Sequence, residues 1–179
     1  MSRRVADRQQ STPAGRAWRW LLAMFWLAGM SPAAVADTAP LFAATLSDLD
    51  GKPVALETYR GKPLIVNFWA RWCGPCRVEI PELARVQTAY RSRGLVVLGI
   101  GVEENAESAR DFAKAYDMHY PVVIGDNRKT LWLMQVLGNK RGGLPFTAVI
   151  GRDGRLVSHK LGIMSAAELE SAAAELLRP

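Results

Sequence analysis

The chain's two cysteines, Cys73 and Cys76, stand three positions apart in NFWARWCGPCRVEIPEL (Asn67–Leu83), where an apolar run gives way to a helical pattern. No other feature narrows the possible folds as much. The preceding run, PLIVNFWA (Pro63–Ala70), reads as a strand buried on both faces. Beyond the cysteines, Ile80, Leu83, Ala84, Val86 and Gln87 recur near helical spacing. The spacing predicts a helix from Cys73 to about Arg93, with a kink at Pro81.

Two thiols so placed could form a redox couple, half of a metal site, or a disulfide that stiffens a loop. A structural zinc site needs about four ligands. The other soft candidates, His119 and His159, are isolated and read as surface or edge histidines. A disulfide closing so short a loop would constrain the unfolded chain little. A Cys-x-x-Cys that follows a buried strand and opens a helix favours redox chemistry. Unpaired N–H groups and the dipole at a helix start stabilise an anion there, so the Cys73 thiolate, the attacking species, is favoured. Cys76, one turn inside, is within reach of that sulfur and can resolve a mixed disulfide. Gly74 and Pro75 keep the turn compact and compatible with a helix start. No metal or separate cofactor is expected: the working group is the Cys73–Cys76 pair itself.

The remaining pattern alternates strands and helices. FAATLSDLDGKPVALETYRG reads as a hairpin about Asp50-Gly51, and Leu95–Val102 as a second buried strand. Helices are predicted over Glu104–Tyr116 and Lys129–Leu137, on either side of the short strand in YPVVIGD. FTAVIG and RLVSHKLG flank Arg152-Asp153-Gly154 as an antiparallel pair. Ser165 stands three before Glu168 as a capping box for a last helix to Leu177. Such alternation implies an α/β fold, a mixed sheet with helices on both faces.

Residues 1–36 read differently. Arginines precede WLLAMFWLAGM (Trp20–Met30), then Ser31-Pro32 and the small-x-small site Ala34-Val35-Ala36. This is the pattern of a secretory signal peptide. Trp20–Ala36 carries no charge and is close to the shortest membrane span, so an uncleaved N-terminal anchor is the other reading. Either one places residues 37–179 outside the cytoplasm, in a bacterial periplasm. Of the net charge of +6, residues 1–36 hold +4 (five arginines against Asp7), leaving +2 for residues 37–179. So nearly neutral a body excludes nucleic acid as a partner.

VNFWARWCGPC resembles the active-site strand and turn of thioredoxin-fold proteins. The wider order of motifs, LDGKPVALETYRGKPLIVNFWARWCGPCRVEIPEL, YPVVIGD, GLPFTAVIGRDGRL and LG, resembles the exported TlpA/ResA branch across residues 42–177. The resemblance implies a thioredoxin-like domain with an N-terminal β-hairpin and a central inserted helix and strand. It makes Cys73 the attacking cysteine and Cys76 the resolving one. Leu144-Pro145 takes the place of the family's cis-proline loop, where the Leu144 backbone would pair with an extended substrate. Trp72 would shield the sulfurs and, with Gly74 and Pro75, meet the substrate. Asn67 stands where thioredoxins proper carry a buried aspartate. Glu79 takes the place of a site glutamate of the branch, a carboxylate able to accept the Cys76 proton; the competing expectation is a solvated Glu79 paired with Arg77 or Lys62.

The implied function is reduction of disulfides in selected periplasmic proteins, such as apocytochrome c or a copper-site protein of an oxidase, with recharging by a membrane-embedded electron donor. A disulfide-forming oxidase is the alternative, although the Gly-Pro dipeptide matches reducing thioredoxins. A copper-delivery or assembly factor using two soft thiols is a further one. A peroxidase is disfavoured: Ala70 and Val66 stand where peroxiredoxins need threonine and proline.

Overall fold

The computed structural model describes residues 37–178. The signal or anchor segment read in residues 1–36 lies outside them. The chain begins with a short helix α1 (Ala39–Phe42) and the hairpin β1 (Thr45–Asp48) and β2 (Pro53–Ala55), then a 3₁₀ turn at Leu56–Tyr59. Next come β3 (Leu64–Trp69), α2 (Cys76–Tyr90), β4 (Val96–Val102), α3 (Ala106–Ala115), β5 (Val122–Gly125) and α4 (Asn127–Val136). A hairpin of β6 (Phe146–Ile150) and β7 (Leu156–Leu161) leads to α5 (Ala166–Leu176).

The strands form one seven-stranded sheet in the order β2-β1-β5-β4-β3-β6-β7. The β3–β4 and β4–β5 pairs are parallel and the others antiparallel. The sheet is therefore mixed, as the alternation of elements implied, and α3 with β5 forms the inserted unit. Every residue of β3 and β6 is buried, which is why both read as largely apolar runs, with Asn67 and Thr147 the polar members, rather than alternating ones.

Alternation along β3 sorts the helices onto two faces. Asn67 and Trp69 point to the face of α2 and α3, and α5 packs beside α2. Phe68 points to the other, where a row of Phe68, Phe146 and His159 reaches Gly138 at the end of α4. The fully buried Trp69 indole lies across β4 and stacks on Phe112 of α3. It fits because β4 carries glycine beneath it. A Cβ at Gly99 would stand 3.2 Å from Trp69 Nε1, and one at Gly101 would stand 3.1 Å from the indole ring.

Several ends differ from the sequence expectation. α2 starts at Cys76, not Cys73, because the Cys73 N–H closes a turn onto Ala70 O (3.0 Å) and Pro75 is the cap residue. It runs unbroken through Pro81 to Tyr90 and tightens into a 3₁₀ turn at Arg91–Arg93. α3 and α4 start after the caps Asn105 and Asp126, whose side chains accept from the third residue inside each helix. The Ser165–Glu168 capping box is complete.

Candidate active site

β3 ends at Trp69, and Ala70–Pro75 turn the chain into α2. The two sulfurs meet there in a disulfide, with Cα atoms 5.4 Å apart. Cys73 Sγ also accepts a hydrogen bond from the Cys76 N–H (3.2 Å), the first residue of the helix. This N–H has no partner within the helix and points at Cys73, so that sulfur receives the positive end of α2 although it lies one turn ahead of it. Cys76 is fully buried and Cys73 is 4% exposed. Only a small part of Cys73 meets solvent.

Glu79, one turn into α2 on the same side as Cys76, has no solvent exposure. Three donors converge on its carboxylate. Asn67 Nδ2 donates to Oε2 (2.7 Å), while the Met164 N–H (2.8 Å) and Thr147 Oγ1 (3.3 Å) donate to Oε1. Burial pushes the carboxyl above its ordinary range, against the pull of these bonds and of the Lys160 charge. Tyr120 faces the same cluster, and burial with the Glu79 charge pushes its phenol upward. A carboxylate set this way, on the helix that carries a thiol, can accept that thiol's proton. The alternative of a solvated Glu79 paired with Arg77 or Lys62 does not hold. Glu82, one turn on, does pair at the surface, with Arg85 (2.9 Å).

Two large apolar side chains near the disulfide are exposed to solvent. Trp72 is 72% exposed, and Val78 stands out beside it on α2. Leu144-Pro145 precedes β6, whose Phe146 pairs with Phe68 near the end of β3, so that loop lies at the same end of the sheet as the cysteine turn. The Leu144–Pro145 bond is cis, and Pro145 O accepts from the Gly162 N–H (2.8 Å) after β7. The residues singled out in the sequence, Trp72, Cys73, Gly74, Pro75, Cys76, Glu79, Leu144 and Pro145, thus gather at one end of the sheet.

Some residues of the site carried no sequence signal. Thr147 and the Met164 N–H come to Glu79 from 68 and 85 positions away. Asn139 braces the proline loop: its Nδ2 donates to Gly143 O (2.9 Å) and its Oδ1 accepts from the Gly142 N–H (3.1 Å). Gly142 sits there at φ 65°, where a side chain would be strained. Glu103, at the start of the loop after β4, accepts from the Arg71 N–H (2.7 Å) and Nε (3.1 Å) and pins the cysteine turn. Beside Trp72 a groove of about 480 Å³, lined by Arg71, Arg77, Asp111 and Phe112, opens between α2 and α3. Among the described residues, no group of three or more His, Cys, Asp or Glu side chains could hold a metal ion.

Comparison with known proteins follows the same lines. Residues 35–159 match the family model described as AhpC/TSA family. The thiol-disulfide oxidoreductase ResA of Bacillus cereus is 31% identical over 136 residues, 76% of this chain and 75% of that protein. ResA of Geobacillus kaustophilus is 34% identical over 137 residues, with the same coverage. Among solved structures, a thiol:disulfide interchange protein of the thioredoxin family from Chlorobium tepidum superposes with a TM-score of 0.64 at 31% identity, covering 75% of this chain and 93% of that one.

Proposed function

The chain belongs to the AhpC/TSA family and is a thiol–disulfide oxidoreductase of the ResA type, and from that premise we propose that it works outside the cytoplasm as a reductant of selected protein disulfides. In the dithiol form, the Cys73 thiolate attacks one sulfur of the partner's disulfide. That bond breaks as the Cys73–partner bond forms, and the expelled partner thiolate takes a proton from solvent. Cys76 then gives its proton to Glu79, and its sulfur attacks Cys73 Sγ. The mixed disulfide breaks, the second partner thiolate leaves with a proton, and the Cys73–Cys76 disulfide remains. Two electrons have passed to the partner, with one proton from solvent and one that Cys76 released through Glu79. A dithiol donor, membrane-embedded in the family's manner, restores the starting state.

The observation that carries this reading is the disulfide at the mouth of α2, with a helix-end N–H on the Cys73 sulfur and Glu79 buried one turn behind. Ala70 leaves the position three before Cys73 without a hydroxyl, so peroxide reduction has no support at this site. Export rests on the pattern of residues 1–36, whether cleaved or kept as an anchor. Leu144 and Pro145, with Trp72, Gly74 and Pro75, would form the contact surface for the partner, in the periplasm a protein such as apocytochrome c or a copper-site protein.

The test is capture. Cys76→Ser freezes the mixed disulfide on Cys73, and mass spectrometry of the adduct names the partner. Recovery of periplasmic proteins with reducible cysteine pairs supports the proposal; recovery of glutathione alone counts against it. A reduction potential near about −270 mV fits a reductant, whereas one near about −120 mV would make the protein an oxidant.

A further inference from the structure

One atom of the Asn67 amide that faces Glu79 has no partner. Asn67 Nδ2 donates both to Glu79 Oε2 (2.7 Å) and to Thr147 Oγ1 (2.8 Å), while Asn67 Oδ1, equally buried, receives no hydrogen bond. Leaving a buried amide oxygen unpaired costs free energy, so a residue kept this way calls for a physical reason. The Asn67 donor suits only the ionised form of Glu79. Once the carboxyl holds a proton it becomes a donor itself. Oε1 already accepts from the Met164 N–H and Thr147, so Oε2 has the freer lone pair to receive that proton. The new O–H would then point at the Asn67 Nδ2 hydrogens, donor against donor.

We propose that Asn67 is a positioning residue that serves Glu79 in both protonation states by turning its side-chain amide over. The proposal rests on the proton transfer from Cys76 to Glu79 given above. After reversal, Oδ1 occupies the place of Nδ2, within hydrogen-bond reach of both Glu79 Oε2 and Thr147 Oγ1. It accepts the Glu79 O–H there, and its second lone pair accepts from the Thr147 hydroxyl, which turns away from Glu79 Oε1 and leaves that oxygen to the Met164 N–H. Nδ2 inherits the place of Oδ1. The cluster therefore carries one unpaired amide atom in either state, and neither state suffers the donor–donor contact. The rotation is about an sp³–sp² bond, whose energy profile is broad and roughly two-fold. Aspartate could not serve in this way: ionised, it would face Glu79 as a second carboxylate, and two carboxylates sharing a site force one to hold its proton. The other groups facing Glu79 are Lys160 of β7, Tyr120 ahead of β5 and, on its own helix, Cys76. Lys160 is paired with Glu168 (2.5 Å).

The test is an NMR titration of the reduced full chain, following the Asn67 side-chain amide protons and the Glu79 carboxyl carbon against pH. The amide protons should lose their contact with Thr147 as Glu79 takes up its proton, with one shared midpoint. Amide protons that keep that contact throughout, or lose it at a different pH, overturn the proposal. In stopped-flow reduction of a Cys73 mixed disulfide, Asn67→Leu should slow the Cys76 step about tenfold and flatten its pH profile. Asn67→Asp should instead move that profile to higher pH. An Asn67→Leu profile that matches wild type overturns the proposal as well. The titration needs no turnover, so a chain that reduces no protein disulfide yet shows the shared midpoint refutes the reductase function and leaves the amide reversal standing. An active reductase with a fixed amide refutes the reversal alone.

Discussion

Glu79 is the residue on which the chemistry of the site and its energetics meet. Its carboxyl is pushed up by burial, so folding raises its proton affinity above the ordinary value of 4.5. The stability it contributes is therefore fully present below that value and is lost as pH rises through the higher folded value. Glu168 has the opposite sign. Held down to about 2 by Lys160 and Ser165, it contributes above its ordinary range and loses that contribution as pH falls through about 2. Glu79→Gln removes the first dependence. The Tm of the variant, relative to wild type, should climb as pH is raised from about 4 to about 8 in calorimetric scans. The same variant should slow the Cys76 step about a hundredfold, since a positioned base contributes at least that much. An unchanged rate would remove Glu79 from the mechanism.

At the scale of elements, the sheet was legible and the joints were not. LIVNFW and FTAVI are apolar on both sides, save for Asn67 and Thr147 at the Glu79 cluster, because helices cover both faces. Ser165 and Glu168 declare the start of α5 by their spacing alone. The sequence pattern starts α2 three residues early because CGPC is compatible with a helical turn, while the bond that sets Cys73 apart is a backbone contact to Ala70. The support of Glu79 by Thr147 and Met164, and of the proline loop by Asn139, depends on tertiary contacts and side-chain aim that no periodicity records. Two predictions belong to this scale. Gly99→Ala sets a methyl 3.1 Å from the Tyr120 ring and 3.2 Å from Trp69 Nε1. It should cost about 1–3 kcal/mol in urea unfolding. Ser165→Ala breaks the capping box next to the Met164 N–H and should cost about 1 kcal/mol. A loss in Ser165→Ala that also alters the pH profile of the Cys76 step would tie the α5 cap to Glu79.

Across the whole molecule, one face holds the Glu79 cluster, and the other braces the proline loop through Asn139 and carries packing remote from the sulfurs. α2, α3 and α5 cover the face that holds Glu79 and Trp69, whereas α1 packs against α4 on the opposite side. Phe42, 2% exposed, anchors α1, with the Arg60 guanidinium 4.5 Å from its ring centre. Phe42→Ala should lower stability by about 3–5 kcal/mol while leaving the rate of disulfide exchange in the folded protein unchanged. A large loss of rate at full folding would show that the two faces are coupled. The account as a whole depends on Cys73 being ionised at neutral pH because the first N–H of α2 is directed at its sulfur. The most direct measurement is the pH dependence of Cys73 alkylation by iodoacetamide in the reduced protein. The predicted result is a midpoint well below the value of about 8.5 for a free cysteine. A midpoint at or above about 8.5 would contradict it.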